Sequence, residues 1–445
     1  MADGSERGSL AVGKDYRSAF KSRDFRLYQA ARLMVILGAE AQSVAVAWQV
    51  YALTHSALDL GYTGLALFLP GLFVMLAAGH AADRYDRRKI ILLCYGLQAC
   101  CTAVLLWLSL SASALQHGRI WPIYAVLVGI GLGRAFSGPA ASAMLPSLVP
   151  KEDFVNAVTW GATVYQIANM SGPAVGGILF TLPLAGAAAM CNGAPLVYSF
   201  TLAMLLGFII LVSMIHAKMV TEKKAFSMKT VLAGLEYVWR AKLLLGSISL
   251  DLFAVLLGGA TALLPIFATD ILHAGPRGLG LLRAMPSVGA LAVSLTMVVR
   301  PIKRKAGLTM LVCVGIFGAA TVVFGLSKSI WLSAAALVIV GASDMVSVVV
   351  RSSVLQLATP PEMRGRVSAV NWLFIGASNE FGEFESGLTA HWWGAVRAVV
   401  IGGTGSMLVT AAAAGLFPQL RRADALTADA LMEPQPELSM AEPVD

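Results

Sequence analysis

Long apolar runs follow one another along almost the whole chain and restrict its fold more than any other feature. A helix needs about 20 mostly apolar residues to cross the hydrocarbon core of a bilayer. We predict twelve such spans, with these approximate bounds: 26–51, 60–80, 89–111, 121–144, 157–180, 186–214, 244–272, 279–299, 306–326, 330–350, 367–390 and 395–417. The sequence therefore predicts an all-α membrane protein.

Composition agrees with a chain that lies in lipid. Of the 445 residues, 57% are hydrophobic and 13% are charged, whereas about a quarter of the residues in a soluble domain carry charge. The net charge of +8 comes from Lys and Arg in short loops between apolar runs, a pattern typical of cytoplasmic loops. We therefore expect a lipid bilayer around the protein and no nucleic acid as its partner.

The basic residues also predict the orientation of the chain. They lie in the N-terminal segment, in the loops after spans 2, 4, 6, 8 and 10, and after span 12. Near the loops of the opposite side, the basic residues are Arg119, Arg277, Lys328 and Arg397. Because basic loops stay in the cytoplasm, we predict a multi-pass protein of the bacterial inner membrane with both termini cytoplasmic. We expect no cleaved signal peptide, since residues 1–21 lack a short apolar segment.

The two halves of the chain resemble each other. The pattern VxAVxW occurs at 155–160 and again at 367–372, and the basic loops 83–89 and 300–305 occupy nearly the same place in each half. A parallel repeat of this kind is typical of transporters with a central site. We predict a cytoplasmic segment at 1–24, a six-helix bundle at 25–215, a linker with an amphipathic helix at 216–242, a second bundle at 243–418 and a disordered cytoplasmic tail at 419–445.

Several motifs resemble those of the major facilitator superfamily. The loop after span 2 resembles the signature GxLaDrxGRrx, with Asp86 in place of the usual glycine and these matches: Gly79, Asp83, Arg84, Arg87 and Arg88. Span 5 resembles the antiporter motif that marks exporters, through Gly172, Pro173, Gly176 and Gly177. Arg134 in span 4 resembles an arginine that the superfamily associates with proton coupling.

Stretches 250–254, 264–267 and 359–367 resemble the branch of drug and siderophore exporters that contains the enterobactin exporter and macrolide efflux proteins. The resemblance covers about residues 20–418. It implies the major facilitator fold, with two pseudo-symmetric bundles of six helices. It further implies a secondary active transporter that exports a small lipophilic compound, drug or siderophore in exchange for protons. We expect this transporter to be a monomer without cofactors.

Asp83 and the basic cluster that follows it predict a gating latch. We expect them to pair across the two halves when the protein faces outward and to separate as the interior opens. The alternative is that the basic residues only determine topology. Gly79 and Asp83 favour the latch, because an anchor made of positive charge alone needs neither residue.

Ionisable side chains within the spans are candidates for function, because charges at the bilayer centre are costly without a partner or a wet cavity. We predict a role in proton coupling for Glu40, Arg134, Asp251, Asp344 and Glu380. A buried arginine needs a carboxylate, and we expect Arg134 to pair with Glu40. The alternative is a permanent structural ion pair.

Polar side chains on spans 5 and 11 predict the wall of a substrate cavity, formed by Tyr165, Gln166, Asn169, Asn379 and Glu383. Polar stripes of this kind also hydrogen-bond neighbouring helices, and that alternative stays open. The glycines of the antiporter motif allow helices to approach closely, so we expect a tight seal there, or simple packing as the alternative.

The sequence leaves one other function open and disfavours the rest. Lipid or lysolipid flipping, or import, fits the same fold and is the alternative that stays open. The chain contains no HExxH, GxSxG or P-loop motif, so an enzyme or an ATP-driven pump is not expected. Its six histidines are scattered, and we predict no metal site.

Overall fold

The computed structural model describes residues 18–111, 120–182, 193–216, 228–300, 302 and 305–422. Its long helices are α1 (Arg23–Thr54), α2 (Ala57–Arg84), α3 (Arg87–Leu110), α4 (Trp121–Met144), α5 (Phe154–Phe180), α6 (Ala194–Ser213), α7 (Lys242–Gly258), α8 (Gly275–Val299), α9 (Ala306–Leu326), α10 (Ile330–Leu357), α11 (Pro361–Trp393) and α12 (Ala395–Leu416). The described residues form no strand, and the predicted all-α class is confirmed.

Ten segments of the described chain are long and apolar enough to cross a membrane. They include α7, which continues through short helical turns to Ile271 as one segment. Helices α5 and α11, with 27 and 33 residues, have the length of a span but are less apolar. The count of twelve spans therefore stays a prediction.

The packing of the helices repeats between the halves. In the first half α2 packs on α4 and α3 on α6, and in the second half α8 packs on α10 and α9 on α12. The first helix of each half, α1 or α7, contacts the fifth and sixth helices of its own half. Contacts between the halves run mainly through α2 with α11 and α5 with α8. Two similar six-helix bundles therefore meet along two helix pairs.

The two ends of the molecule differ in how the halves are joined. At the end that holds the connections at residues 55–56, 272–274 and 394, here called the hairpin end, one apolar core includes residues of both halves, such as Val44, Leu60 and Phe267. At the opposite end, here called the basic end, each half has a core of its own. Among the described residues, the halves thus share one core at the hairpin end and have separate cores at the basic end.

Helix α7 is interrupted where the sequence predicted one continuous span. After Gly258 the chain passes through a 3-10 turn (Ala260–Leu263) and then a π-helical turn (Phe267–Ile271). Gly258 lies so close to α9 that a Cβ atom there would be 2.5 Å from Cε1 of Phe317. Interruptions of this type often occur at functional positions, and this one lies at the contact between the halves.

A separate linker helix (Met228–Arg240) connects the halves at the basic end, where the sequence predicts an amphipathic helix. It packs on α11, and its Tyr237 hydroxyl donates a hydrogen bond to the carbonyl oxygen of Ala358 at 3.3 Å. Burial raises the pKa of this phenol, so it remains a neutral donor. The linker helix is therefore attached to the second half of the molecule.

Both predicted terminal segments lie largely outside the described residues. Residues 1–17 and 423–445 belong to them. The described start of the predicted tail forms a short helical turn, Pro418–Arg422, whose Leu420 is fully buried in the core of the second half. The first residues of the predicted tail are therefore helical, with an apolar contact at Leu420.

Candidate functional site

A cavity lies between the halves near the middle of the helices. Its empty space of about 580 Å³ includes space open to solvent. Helices α1, α2 and α4 of the first half line it together with α8, α11 and the turn after α7 from the second. The polar and charged residues of its wall are Gln42, Ser43, Thr63, Arg134, Arg283 and Glu383. The cavity wall thus carries charge from both halves, a guanidinium from the first and a guanidinium and a carboxylate from the second.

The charged groups at this cavity have no direct partner. Arg134, Arg283 and Glu383 line its wall, and Glu383 is close enough to both arginines and to Glu40 for their charges to act on it. None of these side chains forms an ion pair within 4.0 Å in the described part of the molecule. Because charges within a membrane protein normally pair or face a water-filled cavity, these unpaired charges make the cavity the candidate site for a charged ligand.

Two carboxylates of α11 reach across to the other half. A Cβ atom at Gly64 on α2 would lie 2.9 Å from Oε2 of Glu383 and 3.3 Å from Oε2 of Glu380. Glu380 and Glu383 are one helical turn apart, so they share a face of α11. The absence of a side chain at Gly64 therefore provides the space that both acids occupy.

The structure does not form the predicted ion pair between Glu40 and Arg134. The two residues lie in the same region, because both act electrostatically on Tyr165, but they are not within 4.0 Å of each other. Glu40 instead packs on α5, where a Cβ atom at Gly172 would be 2.5 Å from the Cβ of Glu40. Arg134 is exposed to the cavity. Water in the cavity can solvate the guanidinium, which removes its need for a buried carboxylate.

The second half does form an ion pair at the corresponding place, between its first and fourth helices. Arg351 on α10 contacts Asp251 on α7, with 2.6 Å between Nη1 and Oδ2, and their side chains are 4% and 6% exposed. The hydroxyl of Ser347 donates to Oδ1 of Asp251 at 3.4 Å, and Nη1 of Arg351 donates to Oδ1 of Asn371 at 3.5 Å. Arg351 was absent from the predicted coupling set, although it shares a face of α10 with Asp344.

The antiporter motif lies where α5 closely approaches helices of both halves. A Cβ atom at Gly176 would be 2.7 Å from the carbonyl oxygen of Ala41 on α1. At Gly177 it would be 2.9 Å from Cα of Gly280 on α8, and at Gly280 it would be 2.6 Å from the carbonyl oxygen of Pro173. Gly177 and Gly280 therefore bring the backbones of the two halves into contact toward the hairpin end.

Polar contacts reinforce this closure. The Tyr51 hydroxyl on α1 donates a hydrogen bond to the carboxylate of Asp270, which belongs to the π-helical turn after α7. Nε of Arg277 donates to the hydroxyl of Thr181 at 2.9 Å. Each contact joins one half to the other at the hairpin end.

Two of the predicted cavity residues form hydrogen bonds with the opposite half. Nε2 of Gln166 donates to the carbonyl oxygen of Ser287 at 2.9 Å, and Nδ2 of Asn169 donates to its hydroxyl at 3.1 Å. Neither amide lines the cavity, so the alternative of hydrogen bonds between helices describes them. Glu383 does line it, whereas Tyr165 and Asn379 are exposed outside its wall.

The loop motif is only partly described. The structure does not describe the side chains of Asp83 and Arg84 or the surroundings of Gly79. The latch therefore stays a prediction. Arg88 donates a hydrogen bond to the carbonyl oxygen of Ser213, on α6 of its own half. Asp86, which replaces the usual glycine, accepts a hydrogen bond from the backbone N–H of Arg88 at 2.9 Å and caps α3.

No group of three or more His, Cys, Asp or Glu side chains in the described part of the chain is placed to hold a metal ion. Among the described residues, several ionisable groups lie around the central cavity. Its chemistry is electrostatic, because it combines guanidinium and carboxylate groups with hydroxyls and an amide. Such a set can bind and release charged or polar compounds.

The sequence matches known transporters along most of its length. The profile of the family described as transmembrane secretion effector, within the major facilitator superfamily, matches residues 17–445. An enterobactin exporter of Citrobacter koseri is 28% identical over 400 residues, which are 88% of this chain and 88% of that protein. An enterobactin exporter of Shigella dysenteriae serotype 1 is 28% identical over 398 residues, 88% of this chain and 87% of that protein.

Solved structures of transporters share the fold at low sequence identity. A bacterial homologue of the human lysosomal transporter Spinster, in an inward-facing and unoccupied conformation, is 15% identical with a TM-score of 0.67, covering 95% of this chain and 100% of that chain. A D-xylose–proton symporter is 14% identical with a TM-score of 0.64, covering 89% and 98%. These likenesses confirm the predicted major facilitator fold.

Proposed function

Since the chain belongs to the transmembrane secretion effector family of the major facilitator superfamily, and is thus a membrane transporter and not an enzyme, we propose that it exports a small molecule in exchange for protons by alternating access. The observation that carries this proposal is the central cavity, whose charged wall comes from both halves. The halves share one core at the hairpin end and have separate cores at the basic end. Rocking about the cavity would exchange which end is closed.

The proposed orientation places the basic end in the cytoplasm of a bacterial inner membrane, with both termini on that side. The distribution of Lys and Arg supports it. In that orientation the cavity faces the cytoplasm, which is the side from which an exporter loads. The protein would act as a monomer, because each chain contains both halves of the cavity.

The proposed cargo is a siderophore or a lipophilic compound of similar character. The relatives named as enterobactin exporters support this choice. The cavity combines Arg134 and Arg283 with hydroxyl and amide groups and apolar residues such as Val46 and Leu127. Such a wall suits a compound that has both polar and apolar parts.

Proton coupling is proposed for the intramembrane acids. Glu40, Glu380 and Glu383 are at or near the cavity, and Asp251 with Asp344 lie within the second half. Antiport requires that a protonated acid and bound cargo favour opposite conformations. Acids at the contact between halves meet this requirement, because their charge changes the electrostatic cost of bringing the halves together.

The test is transport by purified protein in sealed liposomes, with enterobactin as the probe and an imposed pH gradient as the driving force. We expect enterobactin flux that depends on the gradient and that falls about tenfold or more in Glu383→Gln. Glu236→Gln, on the exposed face of the linker helix, is the matched control and should transport normally. Flux that ignores the pH gradient would refute proton coupling, and absence of enterobactin flux under every gradient would refute this cargo.

A further inference from the structure

The second half contains a buried ionic cluster that is separate from the cavity. It consists of Asp251 on α7 with Asp344 and Arg351 on α10, and none of the three lines the cavity wall. Asp251 and Arg351 are 5% and 3% exposed, whereas Asp344 is half-buried. Asp344 is close enough to both for their charges to act on it, but it forms no ion pair with Arg351 within 4.0 Å.

The charges of this cluster do not balance. Two carboxylates face one guanidinium, which gives a net charge of −1 when all three are ionised. The polar neighbours are Ser347 on α10 and Asn371 on α11, and both are uncharged. In the described surroundings of Asp251 and Asp344, helices α8, α9, α11 and α12 contribute no other acid or base that acts on them. One bound proton makes the buried cluster neutral, which the low-dielectric interior strongly favours.

One hydrogen-bond donor of Arg351 has no acceptor. Its Nη1 contacts Asp251 and Asn371, while its Nε atom is buried and has no hydrogen-bond partner. A buried donor without an acceptor is costly, and Asp344 is an acid without a partner on the same face of the same helix. The cluster therefore holds one unused donor and one unused acceptor beside an ion pair that is already formed.

From this geometry we infer that Asp251, Asp344 and Arg351 form a site for a single proton, in which Arg351 pairs with either acid while the other acid holds the proton. In the present structure Arg351 pairs with Asp251, and Asp344 carries the proton. When α7 moves relative to α10, Asp251 leaves the guanidinium and takes up the proton, and Arg351 turns to Asp344. The number of charges stays constant throughout.

The position of the cluster explains how such an exchange connects to movement. Arg351 and Asp344 both belong to α10, so their spacing changes little, whereas Asp251 belongs to α7. Helix α7 is the helix that is interrupted at Gly258–Gly259 and that continues to the contact of Asp270 with Tyr51. Displacement of α7 thus alters the proton site and the closure of the hairpin end together. Use of this proton in transport rests on the function proposed above, but its binding does not.

The test measures protonation without any cargo, by pH-difference infrared spectroscopy of the purified full-length protein between pH 5 and pH 9. We expect the wild type to show a band of a protonated carboxyl group that is lost in Asp344→Asn and also in Asp251→Asn. In each single variant one acid remains to pair with Arg351, and the cluster is neutral without a proton. Glu236→Gln, on the exposed linker helix, should leave the band unchanged.

Stability of the same variants gives a second measurement. Each single amide should fold with a melting temperature near that of the wild type, because Arg351 keeps a carboxylate partner in both. The double variant Asp251→Asn/Asp344→Asn leaves Arg351 buried without a counter-charge, and we expect it to unfold at a far lower temperature or fail to accumulate. A double variant as stable as the single ones would overturn the inference, as would an Asp251→Asn variant as unstable as the double.

The infrared and transport results separate this inference from the proposed function. A band that persists in both single variants, with enterobactin flux still driven by protons, would place the proton elsewhere and refute the site alone. A band that is lost as expected, with no proton-dependent flux, would leave the site intact and refute proton-coupled transport. Loss of the band together with loss of proton dependence in Asp344→Asn supports both.

Discussion

Gly177 and Gly280 belong to opposite halves and lie in backbone contact. The Cβ of an alanine at position 177 would be 2.8 Å from the carbonyl oxygen of Pro276 and 2.9 Å from Cα of Gly280. Backbone atoms cannot rotate away as a flexible side chain can, so an added methyl group must separate the helices. We therefore expect Gly177 to act on closure of the hairpin end more than on packing within one half.

We predict that Gly177→Ala shifts the protein toward opening at the hairpin end. Overpacking of a close contact costs about 1–3 kcal/mol, which corresponds to about a 5- to 150-fold change in the equilibrium between conformations. Distances between spin labels at the exposed positions Leu182 and Arg397 should lengthen. Gly96→Ala, whose Cβ has no neighbour within 4 Å, should leave the distances unchanged, and an unchanged distance in Gly177→Ala would contradict the prediction.

Single residues also show what the sequence could reveal about the site. The cost of charge within a membrane directs attention to Glu383, Arg134 and Asp251, because such residues are rare within spans. The choice of partners was not predictable: Arg134 faces the cavity without a pair, while Arg351 pairs with Asp251. Pairing depends on which side of a helix is wet, and the helical phase of one sequence does not specify that.

At the scale of elements, the linker helix is held to α11 by a close backbone contact. A Cβ atom at Gly234 would be 2.8 Å from the carbonyl oxygen of Arg366, and Val238 is 2% exposed. The opposite face exposes Leu232, Leu235 and Trp239, which suits the interface between lipid and water. Docking of this helix fixes where the chain leaves the first half and enters the second.

We predict that Gly234→Val detaches the linker helix from α11. The larger side chain meets a backbone carbonyl, and the cost of about 1–3 kcal/mol is comparable with the stability of a short docked helix. Hydrogen exchange of residues 228–240 should accelerate by about tenfold or more, while exchange in α9 stays the same. Gly365→Ala is the control, since its Cβ would have no neighbour within 4 Å; equal exchange in both variants would exclude the proposed contact.

The elements themselves were largely predictable from the sequence, because apolar runs of about 20 residues have few alternatives to a spanning helix. The interruption of α7 was only partly predictable. Gly258, Gly259 and Pro265 indicate a weak point, but the π-helical turn also contains Asp270, which accepts a hydrogen bond from Tyr51. That contact joins residues more than two hundred positions apart, and no local pattern encodes it.

At the scale of the whole molecule, the described polar contacts that join the halves at the hairpin end include those of Tyr51 with Asp270 and of Arg277 with Thr181, beside the shared apolar core. We predict that Tyr51→Phe, which removes the hydroxyl bonded to Asp270, favours opening. A hydrogen bond to a charged group contributes about 1.5–3 kcal/mol, so the open population should increase about tenfold or more. The same spin-label pair at Leu182 and Arg397 measures it.

Tyr198→Phe is the matched control for this experiment. Its hydroxyl donates to Oε1 of Gln49 at 2.7 Å, inside the first half, so its loss should lower stability without changing the balance between conformations. If Tyr198→Phe and Tyr51→Phe change the distances equally, the contact of Tyr51 with Asp270 has no specific role in closure.

The shared core at the hairpin end also affects how quickly a compound can reach the cavity from each side of the membrane. If the protein works by alternating access as proposed, we expect a molecule without cargo or gradient to rest with its binding cavity accessible from one compartment only, because leaving that arrangement means separating well-packed apolar side chains. A compound on that side therefore meets a receptive chamber at its first collision. The same compound on the other side can bind only when the protein occupies a less populated conformation. Binding should therefore be slower from that side even without cargo transport or a gradient.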